Sequence, residues 1–109
     1  MKYIYLIESD VFYKIGVASE PRGRIKELQT GNPHKINLVA SCRVENAYGA
    51  ERCIHSVLSS FNISGEWFRL INDDVAVIKE VFQSIEMHGA TMPKTSRPQW
   101  VDILDRVRR

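Results

Sequence analysis

Tyr3-Ile4-Tyr5-Leu6-Ile7-Glu8-Ser9-Asp10-Val11-Phe12-Tyr13-Lys14-Ile15-Gly16 reads as two short strands around a polar turn at Ser9-Asp10. β-branched and aromatic residues fill both arms, which suits a pleated, half-buried surface. With Ser9 and Asp10 as a two-residue loop, Glu8 faces Val11 and Tyr5 lies opposite Lys14. Alternation sends Ile4, Leu6, Ile15 and Val17 to one face and Tyr3, Tyr5, Lys14 and Gly16 to the other. The first is a core face. The second combines a phenol, an ammonium and a position with no side chain, an unusual set for an apolar hairpin.

Working outward, 109 residues suffice for one modest core. A hydrophobic fraction of 44% with 26% charged residues is that of an ordinary soluble globular chain. Fifteen Lys and Arg against thirteen Asp and Glu give +2, so net charge alone does not argue for nucleic acid, and clustering must. Cys42 and Cys53 are far apart and form no metal-spaced pair. With no signal peptide and no apolar run of about 18 residues, a reducing cytoplasm is the expected location, and both cysteines read as small buried hydrophobes.

After the hairpin, Ser19 or Glu20 can cap a helix with Pro21 in its first turn, where proline is tolerated. Ile25 and Leu28 are its buried side, and Gly31 with Asn32-Pro33 ends it. Arg22, Lys26 and Arg24 crowd this element. A solvated face accounts for the first two, whereas Arg24 sits beside the core stripe. Ile36 to Val44 is the next strand, with Ile36, Leu38, Ala40 and Cys42 on one side and Val39 on the other. Asn46 caps a helix over residues 47–60. On it Glu51 and His55 are four apart and share a face, and a structural His55 bonded to Glu51 is the simplest reading.

Residues 62–65 form a turn, and Glu66-Trp67-Phe68-Arg69-Leu70 a short strand. Glu66 follows a glycine and precedes two large aromatics, which suits a held, partly desolvated metal ligand. A strand-start glutamate facing water is the simpler alternative. Asn72 or Asp73 caps a helix reaching His88, its N-terminus complemented by Asp73 and Asp74. Pro93 and Pro98 mark 90–98 as a linker. Residues 99–109 form a last amphipathic helix whose Trp100, Ile103, Leu104 and Val107 need a docking surface: its own core, a second copy giving a homodimer, or a partner.

In this order and spacing, the pieces resemble the GIY-YIG nuclease superfamily, in particular its bacteriophage-type branch. Tyr3-Ile4-Tyr5 stands for the first motif and Lys14-Ile15-Gly16 for the second. Pro21 to Pro33 resembles that branch's arginine helix and its exit, and the Glu51/His55 helix and Gly65-Glu66-Trp67-Phe68 complete the series. The likeness covers residues 1–70, read as the catalytic core. Residues 71–89 are then a helix packed on it, and 90–109 a linker and C-terminal helix. Tyr3 replaces the family's first glycine, Lys14 the second motif's tyrosine, and Leu28 the His or Tyr often found four residues after the arginine.

The resemblance implies an α+β fold with a small three-stranded antiparallel sheet flanked by helices. It implies hydrolysis of DNA phosphodiesters with one divalent cation, Mg²⁺ or Mn²⁺. Tyr5 would activate water, Arg24 hold the scissile phosphate, Glu66 ligate the metal and His55 act near the nucleophile or leaving group. Lys14, Arg22, Arg24 and Lys26 would meet the DNA. The chemistry is coherent: a guanidinium fork and a divalent metal stabilise charge building on phosphate oxygens. A phenol is a weak base at neutral pH unless a cation stabilises its phenolate, a task the assumed register gives to Lys14. Two other readings stand beside this one: a catalytically silent module binding DNA or protein, and a regulatory protein acting through its C-terminal helix.

Overall fold

The computed structural model describes residues 2–88 and 99–107. The linker expected over 90–98 lies outside them, as do Arg108 and Arg109. The fold is α+β. Strand β1 (Lys2–Ser9) and strand β2 (Phe12–Ala18) form the hairpin, followed by helix α1 (Pro21–Gln29), strand β3 (Ile36–Val44) and helix α2 (Ala47–Val57). After a 3₁₀ turn at Ser59–Phe61 come strands β4 (Asn62–Ser64) and β5 (Trp67–Phe68), then helices α3 (Asn72–His88) and α4 (Gln99–Leu104). The antiparallel sheet has five strands, not three, in the order β3-β1-β2-β5-β4. The stretch read only as a turn contains β4, three exposed residues with no apolar alternation to reveal them.

The hairpin register differs from the expected one. Ser9 pairs with Phe12, so the loop is Asp10-Val11, and Tyr5 lies opposite Gly16 while Lys14 lies opposite Ile7. Asp10 takes the positive φ of 58° at the first loop position, a region that Asp tolerates better than most residues. Side chains alternate with period two, so a two-residue slip preserves the faces. Ile4, Leu6 and Ile15 are fully buried in the main core, as expected, with Val17 packed against it. Tyr5 and Ile7 face a smaller core beneath α1, with Ile36 and the half-buried Ile25, Leu28, Leu38 and Trp67.

β3 serves both cores because it carries a bulge. Leu6 pairs with Ala40 but Ile7 with Leu38, leaving Val39 as the extra residue. Ile36 and Leu38 therefore face α1, whereas Ala40, Cys42 and Val44 face the main core. Simple alternation places Ile36, Leu38, Ala40 and Cys42 on one side; the inserted residue reverses the alternation. Burial of Cys42 pushes its thiol up to about 12, which makes it inert at neutral pH.

Asn46 caps α2 as expected, its side chain accepting the Gly49 N–H at 3.1 Å. α2 ends at Val57, short of residue 60, where the 3₁₀ turn takes over. Asp74, fully buried in the first turn of α3, accepts the Ile71 N–H at 3.0 Å, the reach-back half of a capping box. Of the three surfaces open to α4, its apolar stripe uses its own core: Trp100, Val101, Leu104 and Val107 are buried there.

Candidate active site

The β1–β2 pairing puts the Tyr5 ring across Gly16. A Cβ on Gly16 would lie 2.5 Å from the Tyr5 hydroxyl oxygen, 2.7 Å from Cζ and 3.2 Å from Glu66 Oε1. The absent side chain is thus the space in which the phenol and the carboxylate meet. Tyr5 is 1% exposed as a residue, so its ring is held in place by packing.

Ile15, one residue earlier, fixes both flanks. Its N–H donates to the Glu66 carbonyl at 3.2 Å, and its carbonyl sits 2.8 Å from His55 Nε2. The His55 ring meets Phe68 edge-on at 5.0 Å. One residue of β2 therefore clamps both the Glu66 turn and helix α2. Glu51, one turn before His55, shares its helix face and is directed toward the same region.

The turn bearing Glu66 is held independently. Gly65 has φ 57°, a left-handed conformation that glycine adopts without strain. Asn62 Nδ2 donates to the carbonyls of Gly65 at 2.8 Å and Trp67 at 3.1 Å. Lys14, 7% exposed, ion-pairs through its ammonium with Glu66 Oε1, and that ammonium lies 6.0 Å from the Trp67 ring centroid.

The cation beside Tyr5 is Arg24, not Lys14. The Arg24 guanidinium lies close enough to the Tyr5 phenol to lower it and donates to Glu27 Oε2 at 2.9 Å. Burial raises the Tyr5 phenol above its ordinary value, helped by the charge of Glu66 and, more weakly, Glu51, while Arg24 pulls it back. Arg22 and Lys26 are exposed on α1. Arg22 lines a cavity of about 590 Å³ with Tyr3, Ser19, Glu20 and Ser41, near the start of β1.

Tyr5, Arg24, Lys14 and Glu66 therefore converge. His55 holds the site's frame from below through Ile15 instead of presenting Nε2 to it. Glu51 is the residue sequence reasoning passed over. Its carboxyl is raised by desolvation first and by the charge of Glu66 second, with His55, Lys14 and Arg52 opposing. Its spacing from His55 signalled the shared face, but the sequence did not show that the face looks toward Tyr5. Among the described residues no three or more His, Cys, Asp or Glu side chains gather as a metal cage. Two carboxylates close enough to repel each other, Glu51 and Glu66, nonetheless fit a Mg²⁺-type ion, which takes one or two protein carboxylates and fills its shell with water and phosphate.

This makes a prediction. A raised folded-state pKa means that protonated Glu51 suits the fold. Its stabilising contribution is full below the ordinary carboxylate range and is lost as pH rises through the raised value. Without divalent cations at neutral pH, Glu51→Gln should raise Tm by about 2–4 °C, on the order of 0.5 kcal/mol for a half-exposed group. Mg²⁺ should raise Tm of the wild type and leave the variant unmoved. Loss of stability in the variant, or an equal Mg²⁺ response in both, contradicts the assignment.

A family model described as the T5orf172 domain matches residues 2–86. That span contains every residue of the cluster and stops two residues before the end of α3. No curated protein and no solved structure matches the chain.

Proposed function

The chain belongs to the T5orf172 domain family, and from that premise we propose that it is a GIY-YIG-type, metal-dependent DNA endonuclease. The observation that carries the reading is the meeting of Tyr5 and Glu66 over the side-chain-free Gly16, with Arg24 and Glu51 near enough for their charges to act on the phenol. A general acid/base candidate, a phosphate fork and a cation seat are what phosphodiester hydrolysis requires.

In this reading Arg24 turns from Glu27 to grip a non-bridging oxygen of the scissile phosphate and stays beside the Tyr5 phenol, which it lowers. Arginine suits the task because its planar fork binds phosphate through two parallel bonds. Tyr5 first gives up its own proton to solvent and then, as the phenolate that Arg24 stabilises, orients the attacking water and takes its proton. Glu66, with Glu51 as second carboxylate, would hold the divalent cation. When bound, that cation neutralises charge on the phosphate and lowers the pKa of nearby acids. Lys14 is a positioning residue: its ion pair with Glu66 Oε1 fixes the carboxylate that would hold the cation. His55 positions the Ile15–Gly16 peptide.

The second reading is a silent module that binds DNA or protein. What favours it is that Glu66 Oε1 is already neutralised by the buried Lys14, so a metal there competes with an ammonium. One assay separates the two. Purified protein with Mg²⁺ or Mn²⁺ is expected to nick supercoiled plasmid, and Glu66→Ala to slow this by about two to three orders of magnitude. Measurable DNA affinity with no cutting of duplex, flap or branched substrates would give the result to the binding module.

A further inference from the structure

Beside the cluster lies a cavity of about 290 Å³ lined by Ser9, Asp10, Phe12, Asn32, His34 and Trp67. Its walls come from the hairpin loop, the segment after α1 and β5. Trp67 directly follows Glu66 and pairs across the sheet with Lys14. The cavity therefore begins one residue from the proposed cation seat. Resting on the nuclease reading for the identity of the polymer, we propose that this cavity receives one unstacked nucleobase of the DNA strand, adjacent to the phosphodiester that is cut.

The lining has the chemistry of a base site. Trp67 and Phe12 are half-buried rings that offer flat apolar faces, and aromatic stacking accepts any base. Lys14 lies near the Trp67 ring at 6.0 Å and Arg69 near the Phe12 ring at 5.4 Å. Polar groups sit around these rings: the Ser9 hydroxyl, the Asp10 carboxylate and the Asn32 amide. A planar ring with a hydrogen-bonding edge matches that combination, and the volume admits a nucleobase.

The walls are preformed. Gln29 Nε2 donates to the carbonyls of Asn32 at 3.3 Å and His34 at 3.0 Å, and Gln29 Oε1 accepts the Ile36 N–H at 2.8 Å. Asn32 Oδ1 in turn accepts the His34 N–H at 2.9 Å. On the other side, Asp10 is fixed at φ 58°, next to Val11, an apolar side chain 56% exposed at the hairpin tip. An exposed apolar tip beside a ring-lined cavity suits a wedge that keeps a base out of its stack. Leaving the stack costs least for a nucleotide already unpaired. The substrate class is accordingly DNA with an unpaired nucleotide next to the cut: a single strand, flap, bulge or junction.

Tryptophan emission tests this on the intact protein. Trp100 is 1% exposed and out of reach of a ligand base, so quenching reports Trp67. In metal-free buffer, where no cutting occurs, a short oligodeoxythymidylate should quench the emission saturably. An abasic oligomer of equal length should leave emission unchanged and bind about tenfold more weakly. A blunt duplex should also bind about tenfold more weakly. Trp67→Leu, followed by anisotropy of a labelled oligomer, should erase the preference for bases. Should that variant not fold, His34→Ala, at an exposed position, should weaken the single strand alone. Binding without quenching, equal affinity for the abasic oligomer, or no single-strand binding overturns the base site. The nuclease reading is judged separately by plasmid nicking: quenching without nicking removes only the catalysis, and nicking without quenching removes only the base site.

Discussion

Gly16→Ala is expected to lower plasmid nicking by about a hundredfold or more while the protein still folds. Its methyl would lie 2.5 Å from the Tyr5 hydroxyl oxygen and 3.2 Å from Glu66 Oε1, against ordinary contacts of 3.4 Å or more. The Tyr5 ring packs beneath α1 and cannot swing aside as a flexible chain would, so the phenol must shift by about 1 Å, enough to cost about a hundredfold in a catalytic step. Overpacking of this kind costs about 1–3 kcal/mol of stability. The restricted unfolded chain returns about 0.4–1 kcal/mol. A fall in Tm is the net expectation. Gly23→Ala is the internal control. Its nearest atom is Glu20 Oε2 at 3.8 Å, and alanine inside α1 should stabilise by about 0.5–1 kcal/mol. A Gly16→Ala protein that nicks like the wild type would show that Tyr5 and Glu66 need not meet over that residue.

Arg24→Ala should cost about two to three orders of magnitude in cutting rate, the usual consequence of removing one charge-stabilising donor from a phosphate or oxyanion site. Stability should change by less than about 0.5 kcal/mol, because the Arg24 side chain is 45% exposed and its Glu27 partner 69%. Two further readouts distinguish function from structure. Arg24→Lys should restore only part of the rate, since an ammonium keeps the charge but loses the fork. Removing the guanidinium also removes the group that lowers the Tyr5 phenol. The rising limb of the rate-versus-pH profile should then move to higher pH. An unchanged profile with an unchanged rate would take Arg24 out of the site.

The hairpin faces were legible in the sequence because alternation survives a two-residue error in register. The partner of Tyr5 was not legible, since it depends on whether Ser9-Asp10 or Asp10-Val11 forms the loop. Both dipeptides are weak turn formers, and the left-handed Asp10 decides between them. That choice moved the cation beside the phenol from Lys14 to Arg24. The Val39 bulge was equally hidden, because an inserted residue leaves no compositional trace in an apolar strand. Glu51 was visible as a neighbour of His55 but not as a neighbour of Tyr5 and Glu66. Its place follows from the Ile15 clamp, which joins residues forty positions apart. Asn46, Gly31, Gly65 and the start of α3 were readable because capping and left-handed turns have local chemistry.

The most direct test of the Tyr5 cluster is the Mg²⁺-dependent nicking rate of Tyr5→Phe against wild type. This change removes one oxygen and keeps the ring packed across Gly16, so the fold and DNA affinity should persist. A rate at least about a hundredfold lower, with an unchanged melting curve, is the predicted result. Nicking at the wild-type rate by Tyr5→Phe would contradict the account, because the hydroxyl over Gly16 would then have no part in the reaction.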